Sequence, residues 1–223
     1  MNVRSLWQSF GYFGVLISYI IIFTMLPIIE AYDIGNHAVN ILFTAVLLFS
    51  LYAVSNHIYN LVIGIVLLSP FMFLSWSGLY DHSNTAQLIK LASQACFMGY
   101  TIVFFMRHIL HAKKVNTDII IGSICVYLFL GTIWGILFTM AEYFAPGSFA
   151  GLPDITLQDQ ADIIGQRFLD MLYYSYITLT TLGYGNIYPV SGLANSLSSA
   201  AAIMGQMYLT VLIAMLIGKY RAN

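Results

Sequence analysis

The chain predicts an all-α integral membrane protein: six membrane-crossing helices, one short re-entrant helix, and an extended segment after it. Three observations carry that prediction. The sequence is 60% hydrophobic and only 8% charged, whereas soluble domains carry about 25% charged residues. Six apolar runs reach or approach the roughly 20 residues needed to cross a hydrocarbon core. Between the fifth and sixth runs lie a polar stretch, a helix too short to cross, and the segment Thr178 to Pro189.

The first crossing is predicted over residues 6–29. The leader Met1 to Ser9 has one arginine and no small-residue cleavage site close after an apolar run, so an uncleaved first helix is expected. The second, 38–54, is short and must cross with little tilt. Ser55, Asn56 and His57 turn the chain into the third, 58–79, where Pro70 predicts a kink. The fourth covers 87–110, the fifth 117–144 and the sixth 193–218. Residues 145–166 are polar and carry Pro146, Gly147, Gly151 and Pro153, which predicts an extramembrane turret. A helix over 167–180 is too short to span and survives at membrane depth only inside protein, because lipid cannot satisfy its ends. Its carboxyl end, near Thr180, would turn a negative dipole inward and favour a cation there.

Charge placement gives the orientation. With a cytoplasmic amino terminus and six crossings, Arg4, Arg107, Lys113, Lys114, Lys219 and Arg221 fall inside, six of the eight basic residues. Basic bias is what orients membrane proteins. Glu30, Asp33, Asp81, Glu142, Asp154, Asp159, Asp162 and Asp170 fall outside, leaving Asp118 within. Both termini are then cytoplasmic and the segment after the short helix faces outward. The acids from Glu142 to Asp170 would either give an outer mouth a cation-concentrating field or simply solvate a loop. Cys96 and Cys125 lie within apolar runs and read as buried small hydrophobes rather than a disulfide or metal pair. No basic patch suggests nucleic acid, and no acid, base and nucleophile cluster suggests an enzyme. Gly131 and Gly135 form a small-residue pair able to seat a neighbouring helix. His108 and His111 are candidate pH-sensing residues that lack a third partner for a metal.

Within the outward segment, Thr181-Leu182-Gly183-Tyr184-Gly185 follows Thr180 and precedes Asn186 and Pro189. This run resembles the selectivity filter of the tetrameric potassium-channel family, and from about Phe168 to Gly218 the chain is similar to that family's two-helix pore module. Physical chemistry stands beside the resemblance. A dehydrated K+ needs oxygens in place of water, and four strands can offer rings of carbonyls closed at the inner end by the Thr181 hydroxyl. Carbonyls facing one way require alternating backbone conformations, including left-handed ones that Gly183 and Gly185 tolerate. Leu182 and Tyr184 would point away from the ions and wedge the strand. The resemblance implies K+ sites at Thr181, Leu182, Gly183 and Tyr184, an aromatic cuff at Tyr173 and Tyr174 that holds Tyr184, and a gating hinge at Gly205. The family often places an acidic pair where this chain has Ile177 and Asn186. Losing both members is coherent, since an apolar Ile177 could not satisfy a buried carboxylate.

The expected organisation is a four-helix transmembrane domain over 1–112 and a pore domain over 113–223. The first four helices match voltage-gated channels in number only. A sensor needs several charges crossing the field at about 2.3 kcal/mol per charge per 100 mV, and the fourth helix offers Lys90 and Arg107 near its two ends. Conventional voltage gating is therefore not expected. With the chain ending at Asn223, a regulator is expected to act on the membrane part or through another protein. The reading is a passive K+ channel, with K+ in the filter and no organic cofactor. Its partners would be three identical subunits and membrane lipids, and its place the cell membrane, a prokaryotic inner membrane by resemblance. A weakly selective cation channel and a non-conducting membrane receptor or scaffold are the alternatives.

Overall fold

The computed structural model describes residues 3–31, 35–55, 57–77, 83–112, 115–153 and 163–221. Among the described residues the regular elements are seven helices and one short strand pair. The helices are α1 (Val3–Ala31), α2 (Gly35–Val54), α3 (Ile58–Trp76), α4 (Asn84–His111), α5 (Thr117–Phe144), α6 (Ile163–Leu179) and α7 (Gly192–Arg221). Strands β1 (Phe149–Ala150) and β2 (Tyr188–Pro189) pair antiparallel, with Phe149 opposite Pro189 and Ala150 opposite Tyr188. Among the described residues four helices, α3, α4, α5 and α7, are long and apolar enough to cross a membrane. Two shorter apolar stretches, Phe10–Met25 and Ala38–Val54, lie within α1 and α2.

Sequence chemistry accounts for the helix starts. Ser83, Asn116 and Ser191 each stand before a helix and accept from the amide three residues on, at 3.5, 3.1 and 3.1 Å, satisfying a donor that the first turn leaves free. α3 continues through Pro70. Asn56 of the turn before it lies outside the described residues. Burial separates the two cysteines. Cys125 is buried, with its thiol 3.5 Å from the Tyr12 carbonyl, but Cys96 is exposed on α4.

Close helix packing depends on missing side chains. A Cβ at Gly11 would lie 2.6 Å from that of Ala53, and one at Gly14 would meet the Phe49 ring, so α1 and α2 touch nearly backbone to backbone. Aromatic rings then fill the space between α1, α4 and α5. Tyr12 and Phe105 meet edge to face at 4.6 Å, and Phe129 lies 5.9 Å from both Phe105 and Tyr19. Such pairs contribute about 0.5–1.5 kcal/mol each beyond their buried area. α1 and α4 both pack along the α5 of their own chain. At the far end, the Lys219 ammonium of α7 donates to the Ile109 and Leu110 carbonyls at 2.8 and 2.9 Å. A cation there complements the carboxyl end of α4.

The small-residue pair of α5 seats α6. A Cβ at Gly131 would strike the Tyr176 ring, one at Gly135 would lie 3.0 Å from the Leu172 backbone, and the Ser175 hydroxyl donates to the Gly131 carbonyl at 2.7 Å. α6 starts at Ile163, earlier than expected, because Ile164 is buried in the core that α1 to α5 share. Phe168 and Leu172 of α6 enter the same core. Phe43 of α2 packs on Phe168 at 5.4 Å and Phe23 of α1 on Tyr176 at 5.0 Å. The short helix is thus gripped by both halves of the chain.

Candidate functional site

α6 has 17 residues, about 25 Å at 1.5 Å per residue, which is short of the roughly 30 Å hydrocarbon core. Its last turn is tightened by the Thr180 amide and hydroxyl, both donating to the Tyr176 carbonyl at 3.0 and 2.6 Å. The Thr181 amide donates to Thr178 at 3.0 Å, and the Gly183 amide reaches back to the Ile177 carbonyl at 3.1 Å. Leu182 to Tyr184 then lie outside any helix or strand.

The backbone here alternates. φ is +59° at Thr181, +54° at Gly183 and +79° at Gly185, whereas Leu182 and Tyr184 between them are not left-handed. Glycine takes that conformation at no steric cost. Threonine does not, and Thr181 is the one non-glycine with positive φ among the described residues. A β-branched residue in that region persists only where its surroundings fix it. Alternation of this kind turns successive carbonyls toward the same side, which is what an ion path built of peptide oxygens requires.

Both ends of the segment are anchored. Downstream, Ile187 is buried and β2 pairs with β1, while the Val190 and Ser191 amides donate to the Ser148 carbonyl at 2.9 and 3.3 Å. Glu142 fixes the β1 side, its two carboxylate oxygens accepting from Gly147 at 2.8 Å and Phe149 at 3.0 Å. This carboxylate is committed to loop amides, and that of Asp170 lies 3.6 Å from the Arg167 guanidinium. Asp154, Asp159 and Asp162 lie outside the described residues.

The support residues take distinct partners. Tyr173 donates to Asn186 Oδ1 at 3.2 Å, tying α6 to the residue that follows the glycines. Tyr174 is buried between Phe138 and Phe149 and donates to Ser198 of α7 at 2.7 Å. Ile177 is buried, filling with hydrocarbon the place where a carboxyl would be stranded. The expected wedge is not formed within one chain: Leu182 is 60% and Tyr184 69% exposed. Among the described residues, the hydroxyls of Tyr173 and Tyr174 bond elsewhere and the Tyr184 ring is left largely exposed.

Gly205 falls at a close approach. A Cβ there would collide with the Leu179 carbonyl oxygen and lie 3.0 Å from the Leu179 Cγ. That carbonyl also accepts from Tyr127 at 3.2 Å, and Tyr127 stacks on Tyr208 at 5.8 Å. The end of α6 is therefore clasped between α5 and α7.

Sequence reasoning missed a hydroxyl cluster behind this helix. The hydroxyls of Tyr19 and Thr132 are 2.8 Å apart, those of Thr132 and Tyr176 3.2 Å, and Tyr176 donates to the Leu128 carbonyl at 2.7 Å. The one available signal was two tyrosines and a threonine in apolar helices, where a lone hydroxyl needs a partner. Tyr176→Phe is expected to destabilise the protein by about 1–2 kcal/mol, read as a lower thermal midpoint in detergent. Added to Tyr19→Phe, its effect should be less than the sum by about 0.5–1 kcal/mol, because the two hydroxyls share Thr132. Full additivity would mean that the cluster does not act as a unit.

A seated short helix and an alternating segment thus stand together between the flanking helices α5 and α7. Residues 119–221, a little under half of the chain, match the family model described as "Ion channel". The chain is also similar to potassium voltage-gated channel subfamily A member 6 of Mus musculus and of Rattus norvegicus, each 26% identical over 100 residues, 45% of this chain. The match spans 16% of the length of these relatives. No solved structure matches the chain. The potassium-channel resemblance read from the sequence holds at the level of the family.

Proposed function

We propose that four copies of the chain surround one axis and conduct K+ passively and selectively through residues 181–185. The alternating φ at Thr181, Gly183 and Gly185 carries this reading. It supports carbonyls directed to one line, with the Thr181 hydroxyl at the inner end. One such segment cannot enclose an ion, so the count of segments per pore requires assembly. The exposure of Leu182, Tyr184 and the apolar side chains Ile203, Met207 and Val211 of α7 supports the same conclusion, since a single chain leaves them uncovered.

In this reading the chain crosses six times with both termini cytoplasmic, α1 and α2 included, and α6 enters and leaves from the outside. Residues 1–112 form the peripheral domain and 113–223 the pore domain. K+ binds at Thr181, Leu182, Gly183 and Tyr184, and no organic cofactor takes part. The scarcity of charge along α4 favours a peripheral domain that does not sense voltage in the conventional way.

Purified protein in liposomes tests this. Fast K+ flux is expected, with Na+ flux near that of empty vesicles, from a particle of four chains. Equal K+ and Na+ rates would remove the selectivity claim. A monomeric or dimeric particle, or no flux across pH, voltage and lipid composition, would remove the channel.

A further inference from the structure

Gln206 is the one amide side chain between residues 200 and 217 of α7, and it is exposed in the single chain. Thr210, one turn later on the same face, is exposed as well. Polar side chains on a membrane helix turn to protein or to a water-filled cavity. Gln206 does so at a defined place: its Nε2 donates to Thr181 Oγ1 at 3.3 Å. Its reach is set by the neighbouring Gly205, which lies against the Leu179 carbonyl.

We propose that Gln206 determines the affinity of the innermost cation site by holding the Thr181 side chain with its oxygen toward the ion path. This rests on residues 181–185 being the filter. A hydroxyl oxygen has two lone pairs. One accepts the Gln206 amide and the other is left for a dehydrated cation of the size of K+. Thr181 has staggered alternatives at χ1, and one of them would put its methyl group where the oxygen stands. The amide contact selects the oxygen-in state and steadies a residue already held at an unfavourable φ of +59°. In four copies it forms a rim of amides at the inner mouth.

Ba2+, close to K+ in radius with twice the charge, is the probe, applied from the cytoplasmic side of channels in planar bilayers. Gln206→Leu removes four such bonds and is expected to weaken Ba2+ block at least 3- to 10-fold, the effect of losing one of them. The K+/Na+ reversal potential should stay unchanged, since the rings above Thr181 are untouched. On a Thr181→Val background, Gln206→Leu should shift nothing further. Gln206→Glu, which accepts from the hydroxyl and adds charge, should strengthen block. An unmoved block in Gln206→Leu, an equal shift on both backgrounds, or weaker block in Gln206→Glu overturns the proposal. Where Thr181→Val carries no current, Ba2+ protection of the detergent-purified assembly against thermal dissociation completes the same comparison. Absence of K+ current from the unmodified protein would sink the pore reading itself, whereas selective current with an unmoved Gln206→Leu block sinks this inference alone.

Discussion

Replacing Gly183 with alanine is expected to abolish selective K+ flux while leaving the helices folded. The reason is conformational. A Cβ at Gly183 meets nothing within 4 Å, so space is not limiting. Its φ of +54° is, since an L side chain in the left-handed region costs about 1–2 kcal/mol. Four copies would raise that to roughly 4–8 kcal/mol in the proposed assembly. The cheapest escape is to flip the peptide and turn a carbonyl away from the axis, removing one ring of oxygens. Gly99→Ala is the matched control. It too has open space around its Cβ, but it is helical and has no positive φ, and alanine there is favoured by up to about 1 kcal/mol. Liposome flux and circular dichroism on both variants check the prediction. Selective flux at the unmodified rate from Gly183→Ala would show that this backbone does not form the ion path.

Much of the fold was legible because lipid imposes a simple rule: a long apolar run must satisfy its own backbone as a helix. α5 spans 117–144 as expected, and α4 and α7 extend beyond expectation by a few residues at most. The left-handed backbone at Gly183 and Gly185 was readable because glycine in a Thr-x-Gly-x-Gly run has few other uses. The start of α6 was not. Gly165 and Gln166 look like loop, and only tertiary burial of Ile164 shows why the helix begins early. Contacts between distant segments were hidden for the same reason. Nothing local joins Gln206 to Thr181 or Tyr19 to Thr132, and a carboxylate such as Glu142 looks solvated until its loop amides are placed. Leu182 and Tyr184 were expected against a supporting surface, yet the described residues of one chain leave them mostly exposed. Their packing is a property of whatever surrounds the segment and so lies beyond a single sequence.

Gly205→Ala is expected to be the most damaging single-methyl change in α7. A hinge and a close approach give opposite forecasts here. A glycine serving only to bend would tolerate alanine, gain helix propensity, and change opening alone. The structure instead puts the new methyl onto the Leu179 carbonyl oxygen. Backbone cannot rotate out of the way as a side chain does, so α7 or the end of α6 must move. Overpacking of this kind costs about 1–3 kcal/mol, and displacing Leu179 also loosens the Tyr127 bond, worth about 1 kcal/mol. Because Leu179 is two residues from Thr181, the shift would reach the filter segment directly. The expected result is a thermal midpoint well below that of the unmodified protein, with K+ flux lost or no longer selective. Ala201→Gly, which removes a buried methyl one turn earlier in α7, should lower stability by about 2 kcal/mol, through helix propensity and the lost methyl contact together, and keep selectivity. If Gly205→Ala keeps its stability and its K+ selectivity and alters only the fraction of time open, the residue is a hinge. The contact with Leu179 would then be incidental to the pore.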